Sequence, residues 1–260
     1  MKDILTFNFQ IRTADVKLSG DNQEIDMTLS GSRPEWLSFD CYGTLIQWDE
    51  GLLAAVDEVL AGKDRSIDRD AFIAVYDRHE HRLEAERPHR TFKDVSATAL
   101  ALAMGEFSLE TSAGDADILT SSISRMPPFP EVVATLARLK AAGFKLAIIS
   151  NTDDAIIAGN VAQLGGSIDR VITAEQAGAY KPTTQIFQHA WRELGVEKEQ
   201  LVHICASPHL DLAAARERGF RTIWVDRGTG RKPLADYVPN ETVGRLDEVP
   251  GLLSAAGWME

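Results

Sequence analysis

The sequence predicts an α/β fold: a parallel sheet covered by helices on both faces, carrying an all-helical insert and preceded by an N-terminal β-hairpin. Three observations lead there. From residue 130 onward, short apolar runs alternate with amphipathic stretches, the pattern of strands joined by crossover helices. Between residues 50 and 125 the apolar residues recur at helical spacing with no strong strand signal. Before residue 36 they alternate with polar ones, the period of a strand with one buried face.

In chain order, Leu5, Phe7, Phe9 and Ile11 alternate with polar residues, and so do Ile25, Met27 and Leu29. Ser19-Gly20-Asp21-Asn22 lies between them as a turn signal. Residues 1–35 therefore read as a hairpin extension. A lone hairpin is marginal in water, so its apolar face should dock on the main body or on another subunit, which makes a homodimer one expectation. Trp36-Leu37-Ser38-Phe39 reads as a buried strand. In the insert, Leu52, Leu53, Val56 and Val59 mark one helix, Phe72, Tyr76, His79 and Leu83 a second, and Val95, Ala99 and Leu102 a third that Gly105 could end. Helices follow over 132–142, 155–164, 182–194 and 210–218, each with a glycine just beyond its end. Strands are expected at 144–149, 171–173, 201–205 and 221–225. The domain boundaries are then 1–35 for the hairpin, 36–50 and 126–260 for the core, and 51–125 for the insert.

Composition narrows the function classes. The net charge is -12, which argues against nonspecific nucleic-acid binding, a task for basic surfaces. A small anionic substrate remains open, because a pocket can carry local positive charge. Two cysteines, Cys41 and Cys205, form no disulfide framework, and a reducing cytoplasm fits. No apolar run approaches the length of a transmembrane helix, and Met1-Lys2-Asp3-Ile4-Leu5 lacks the apolar stretch of a signal peptide. No membrane partner is expected.

The chemistry gathers after the strands, where parallel sheets place their sites. Asp40 ends the first strand, and Gly43-Thr44 follows with a sharp turn and a hydroxyl. A carboxylate at the end of a buried strand is costly unless it is paired or does chemistry, and an aspartate so placed can form a covalent ester. A helix-capping aspartate is the plain alternative. Ser150-Asn151 ends the next strand; its hydroxyl and amide can bind an anion or merely form a turn. Lys181-Pro182 stands at a loop-to-helix junction; the lysine can hold positive charge against Asp40 or lie solvated. Asp211 follows His203-Ile204-Cys205-Ala206-Ser207-Pro208-His209-Leu210 and can orient Lys181 or a water, or serve as an ordinary N-terminal helix acid.

The order Asp40-Cys41-Tyr42-Gly43-Thr44-Leu45, Ser150-Asn151, Lys181-Pro182 and Asp211 resembles the haloacid dehalogenase (HAD) superfamily, and Tyr42 resembles its L-2-haloacid dehalogenase (type II) branch. The resemblance implies a Rossmann-like core with a helical cap over 51–125. It implies Asp40 as nucleophile, Lys181 and Asp211 as its catalytic partners, and substrate contacts at Tyr42, Thr44, Ser150, Asn151 and Ser207. Phosphatases of the superfamily carry a second aspartate where this chain has Tyr42, to protonate a departing alkoxide. They also carry a Mg²⁺-binding acid shortly before the position of Asp211, where Cys205-Ala206-Ser207 offers none. Halide leaves without a proton, so dehalogenation with no metal and no cofactor is the leading expectation. A Mg²⁺-dependent small-molecule phosphatase, or a weakly active member used as a binding module, is the alternative. Two departures stand out: Pro208 stands where the resemblance implies an asparagine linked to the hydrolytic water, and Phe187 where it implies a tyrosine. The resemblance also implies a cap arginine that clamps a substrate carboxylate; Arg78-His79-Glu80-His81-Arg82 offers candidates, with a solvated charged helix face as the plain alternative.

Overall fold

The structure is a computed structural model that describes Leu29 and residues 31–63, 66–112 and 114–260. The expected hairpin falls almost wholly on residues 1–28, outside the described residues. Among these, the sheet has six strands: β1 (Trp36–Phe39), β2 (Lys145–Ser150), β3 (Arg170–Thr173), β4 (Leu201–Cys205), β5 (Arg221–Val225) and β6 (Glu241–Val243). Their spatial order is β3-β2-β1-β4-β5-β6, and every pairing is parallel. β1 and β4 are buried along their whole length, which is why they read as largely apolar runs. The sheet reverses its direction of winding between β1 and β4, and ligands of such folds bind beyond the carboxyl ends of the strands at that crevice.

Four helices follow β1 directly in sequence: α1 (Trp48–Leu60), α2 (Arg69–Ala85), α3 (Phe92–Glu106) and α4 (Asp115–Arg125). α1 packs on α4, and α2 on α3. Thr91 caps α3 by accepting from the Asp94 amide at 3.2 Å. The buried carboxylate of Asp153, just past β2, accepts from the amides of Phe92 and Lys93 at 2.7 and 2.8 Å. The first turn of α3 is thereby tied to the end of the central sheet. Further helices follow: α5 (Val132–Ala141), α6 (Asp154–Val161), the short α7 (Ala174–Ala177), α8 (Thr184–Leu194), α9 (Ala213–Arg218) and α10 (Val249–Ala255).

Three expectations are corrected. His79 lies off the buried stripe of α2, and Glu80 takes the buried place instead. Leu53 and Leu102 are exposed rather than core. The helix expected from 210 begins with one wide turn over Pro208–Leu212 before α9. β6 was not anticipated at all: three residues with two polar ones give no apolar run.

Candidate active site

Asp40 sits one residue beyond β1. Its amide still donates to the Ile204 carbonyl of β4 at 3.0 Å, so the sheet ladder fixes where the carboxyl group starts. The chain then turns back on itself. The Cys41 carbonyl accepts from the amides of Leu45 and Ile46 at 2.8 and 3.0 Å, and Gly43 takes a φ of 81°, a conformation that costs other residues strain. This turn brings Thr44 beneath Asp40. The Thr44 hydroxyl donates to Asp40 Oδ2 at 2.8 Å and accepts from the Ala206 amide at 2.9 Å. Arg227, in the loop after β5, holds the same turn from outside. Its guanidinium donates to the Thr44 carbonyl at 2.6 Å and pairs with buried Glu131 at 2.7 Å.

Lys181 reaches the other side of Asp40. Its ammonium donates to Asp40 Oδ1 at 2.8 Å and lies 2.7 Å from Asp211 Oδ1. Asn151 braces this lysine: its Oδ1 accepts from the Lys181 amide at 2.7 Å, and its Nδ2 donates to the Lys181 carbonyl at 3.2 Å. The three charged side chains are buried, so solvent screens them little. Burial raises the Asp40 pKa, and the neighbouring Asp211 charge adds to that. Lys181 and the Thr44 bond pull the other way, and burial prevails. Burial also opposes charge on Asp211, but Lys181 and His203 outweigh it and hold that carboxyl below the usual range. Lys181 is held above its ordinary value, because its two carboxylate partners outweigh its own burial. Lys181 favours the charged form of Asp40, but the dominant influence on Asp40 is burial.

A cavity of about 880 Å³ opens over Asp40, lined also by Tyr42, Ser150, Asn151, Lys181 and Ser207. The Ser150 hydroxyl is buried and has no hydrogen-bond partner among the described residues. Tyr42 presents its ring, tilted against Trp48 at 5.1 Å, while its hydroxyl donates to Asn160 at 3.0 Å. Ser207 holds the turn that follows β4: its carbonyl accepts from the Asp211 amide at 3.0 Å. Thus Asp40, Thr44, Lys181 and Asp211 form one hydrogen-bonded cluster, and Ser150 and Ser207 face the same cavity.

The opposite wall comes from α2 and differs from expectation. Arg78 and Arg82 point away, to Glu106 and Glu86 at 2.7 and 2.9 Å. Glu80 and Glu84 line the cavity in their place. Glu80 accepts from the Tyr76 hydroxyl at 2.8 Å. Burial, with Asp77 nearby, pushes the Glu80 pKa up to about 8. Burial and the Glu80 charge push Glu84 well above the usual carboxylate range. Both shifts favour the neutral form of the carboxyl, which can donate a hydrogen bond. Their signal in the sequence is spacing: Tyr76, Glu80 and Glu84 stand at i, i+4 and i+8, on the side of α2 that Phe72 and Leu83 bury. Arg227 and His203 were also missed as site residues. Arg227 carries no local signal, but His203 is the only polar residue of β4.

A divalent cation fits these residues poorly. Tyr42 and Ala206 offer no carboxylate, and Asp211 Oδ1 already takes Lys181 and His203. The donor atoms of His203, Cys205 and Asp211 do lie within 4.8 Å of one another. Yet His203 and Asp211 bond each other, and an ammonium adjoins them. Cys41 and Cys205 are free and buried, and burial pushes both thiols up, which makes them poor nucleophiles. Among the described residues no helix is long and apolar enough to cross a membrane.

The chain is 28% identical over 223 residues to (S)-2-haloacid dehalogenase 4A of Burkholderia cepacia, covering 83% of this chain and 93% of that one. A glyceraldehyde 3-phosphate phosphatase of Methanocaldococcus jannaschii is 29% identical over 131 residues, 49% of this chain and 57% of that one. Among solved structures, a crystallised dehalogenase superposes with a TM-score of 0.76 at 26% identity, over 86% of this chain and 99% of that one. The family model of the haloacid dehalogenase-like hydrolases matches residues 35–219, from β1 through the Asp211 turn. With its parallel sheet and the Asp40–Lys181–Asp211 cluster at the strand ends, the chain belongs to the haloacid dehalogenase-like hydrolases.

Proposed function

We propose that this hydrolase cleaves the carbon–halogen bond of a small 2-halocarboxylic acid through an ester on Asp40, with residues 51–125 acting as the cap over the site. The observation that carries this reading is the setting of Asp40. It is a buried carboxylate of raised pKa, oriented by Thr44 and Lys181, with no second carboxylate at Tyr42 to protonate a leaving alkoxide. A carboxylate oxygen of Asp40 attacks the halogen-bearing carbon. A C–O bond forms, the C–halogen bond breaks, and halide departs with its electron pair, needing no proton. Water then attacks the ester carbonyl carbon of Asp40. The 2-hydroxy acid leaves, the carboxylate is restored, and one proton is released through Asp211 to solvent. Lys181 stabilises the oxyanion of that second step. The raised pKa values of Glu80 and Glu84 reduce the negative charge that the α2 wall presents to an anionic substrate, and Arg87 and Arg231 line the same cavity.

The test sets 2-chloropropionate beside a phosphate monoester, each with chelator and with added Mg²⁺. Halide release that survives chelation, and is absent from folded Asp40→Asn, is expected because an amide is a far weaker nucleophile. Strong Mg²⁺-dependent phosphate release without halide release overturns the reading in favour of the phosphatase. Turnover of neither class overturns it in favour of a binding module.

A further inference from the structure

We infer that His203 is a positioning residue for the second half of the reaction, the hydrolysis of the Asp40 ester; this rests on the proposed covalent route. His203 lies in the middle of β4, fully buried, with its ring edge-on to Phe187 at 5.2 Å. An imidazole in such a place is costly unless both nitrogens are paired. Both are. Nδ1 lies 2.8 Å from the Ser38 hydroxyl, its register partner across the β1–β4 pair. Nε2 lies 2.9 Å from Asp211 Oδ1.

The direction of these bonds follows from the partners. An ionised carboxylate only accepts, so Nε2 carries the proton toward Asp211. Ser38 then donates to Nδ1. The result is a buried line from Ser38 through His203 to Asp211, Lys181 and Asp40, with contacts of 2.8, 2.9, 2.7 and 2.8 Å. Two donors, His203 and Lys181, converge on the same oxygen of Asp211. They fix the rotation of that carboxylate and leave Oδ2, itself buried, without a partner among the described residues. A buried acceptor with no donor is expensive. We assign Oδ2 to the water that attacks the ester. Position 208, where the resemblance implies an asparagine linked to that water, is a proline with no amide hydrogen and no polar side chain. The acceptor must therefore come from elsewhere, and His203 is what holds it in place.

This role separates the two chemical steps. Ester formation uses Asp40 and Lys181, which His203 does not touch. Ester hydrolysis uses Asp211 Oδ2, whose aim depends on His203. In His203→Phe the carboxylate is free to turn. In His203→Gln the side-chain amide can still donate near the place of Nε2.

The experiment follows the intact mass of the enzyme during turnover of 2-chloropropionate, beside halide release in the first turnover. Expected for folded His203→Phe is wild-type halide release in that turnover, then accumulation of the Asp40 adduct. Its steady-state kcat falls about ten- to a hundred-fold, the loss of one hydrogen bond to a charged group. His203→Gln recovers most of the hydrolysis rate. A folded His203→Phe that hydrolyses the ester at the wild-type rate, or that loses the two steps equally, overturns the inference. The ¹⁵N shifts of His203 in the resting wild-type enzyme test it without substrate. A proton on Nε2 is expected, and a bare Nε2 facing Asp211 overturns the positioning role. Wild-type protein that forms no adduct and releases no halide, yet shows the Nε2–H form, refutes the carbon–halogen reading and leaves the hydrogen-bonded line intact.

Discussion

Replacing Lys181 by methionine tests the electrostatic logic of the site most directly. The ammonium lies 2.8 Å from Asp40 and 2.7 Å from Asp211, and all three side chains are almost completely buried. Methionine keeps much of the stem volume and removes the charge. Two carboxylates then face one another with no cation between them. Breaking a buried pair in this way costs about 3–5 kcal/mol. For a chain of this size, roughly 2–4 °C per kcal/mol gives a fall in Tm of about 10 °C at neutral pH. The sign of the pH dependence follows by linkage. In the wild type, the depressed Asp211 pKa stabilises the fold above the unfolded pKa, and that contribution is lost as pH falls through the folded one. In Lys181→Met both carboxyls rise, so the folded state binds more protons than the unfolded and stability drops as pH climbs from acid toward neutral. The gap between the two proteins is therefore widest at neutral pH and narrows in acid. Urea unfolding of both proteins across that range measures it. Adding Asp40→Asn to Lys181→Met removes one of the stranded carboxylates and returns part of the loss. A Lys181→Met protein within about 1 kcal/mol of wild type at neutral pH, with no narrowing in acid, refutes the argument.

Glu80 makes a second test. Its raised pKa of about 8 means that ionisation above that pH puts a negative charge on the α2 wall. The KM for a 2-haloacid should then rise from about pH 8 upward in wild type and stay flat in Glu80→Gln. A folded-state carboxyl pKa above the unfolded value makes stability fall with rising pH between the two. Glu80→Gln should therefore gain on wild type as pH rises from about 5 to 9, by about 1–3 kcal/mol against a bound near 5 from the full shift; equal pH profiles would contradict this. Arg227→Ala should cost about 2–4 kcal/mol, because it strands buried Glu131 and frees the Thr44 carbonyl, and kcat should fall with it as Asp40 loses its orientation. An Arg227→Ala protein with wild-type kcat would show that the turn at Gly43 holds Asp40 unaided.

What could be read in advance follows from how local each signal is. β1 and β4 were legible residue by residue, because both are buried along their length and begin and end on apolar residues. Asp40 was legible because it is a charged residue just past such a strand, where chain geometry and chemical need coincide; Lys181 and Asp211 lie farther along, beyond β3 and β4, and were read from the order of the motifs. Glu80 was not, since helical spacing marks a stripe but not how far burial spreads at its edge. The carboxyl is tolerated there because burial neutralises it and Tyr76 donates to it. His203 passed as one polar residue in an apolar strand, and only the register that sets it across from Ser38 shows that it is paired on both sides. Arg227 depends on the return of a distant loop to the Gly43 turn, which no local pattern encodes.

The charge count of the cluster bears on why Asp40, rather than Asp211, would react. Two carboxylates share one ammonium, so with both ionised the buried set carries one excess negative charge. Asp211 holds two donors on Oδ1, Lys181 and His203, and its charge is the better stabilised. The excess is therefore borne by Asp40, whose raised pKa records the poorer stabilisation of its anion. A less stabilised carboxylate is a stronger nucleophile. On the proposed route, forming the ester removes that charge from the buried site and sends it out with the halide, leaving Lys181 and Asp211 as a matched pair. Hydrolysis returns the charge to Asp40 and costs what the first step released. The second step is thus the one that needs help from positioned groups, Lys181 on the oxyanion and Asp211 on the water. It is at that step that the buried line from Ser38 through His203 would act.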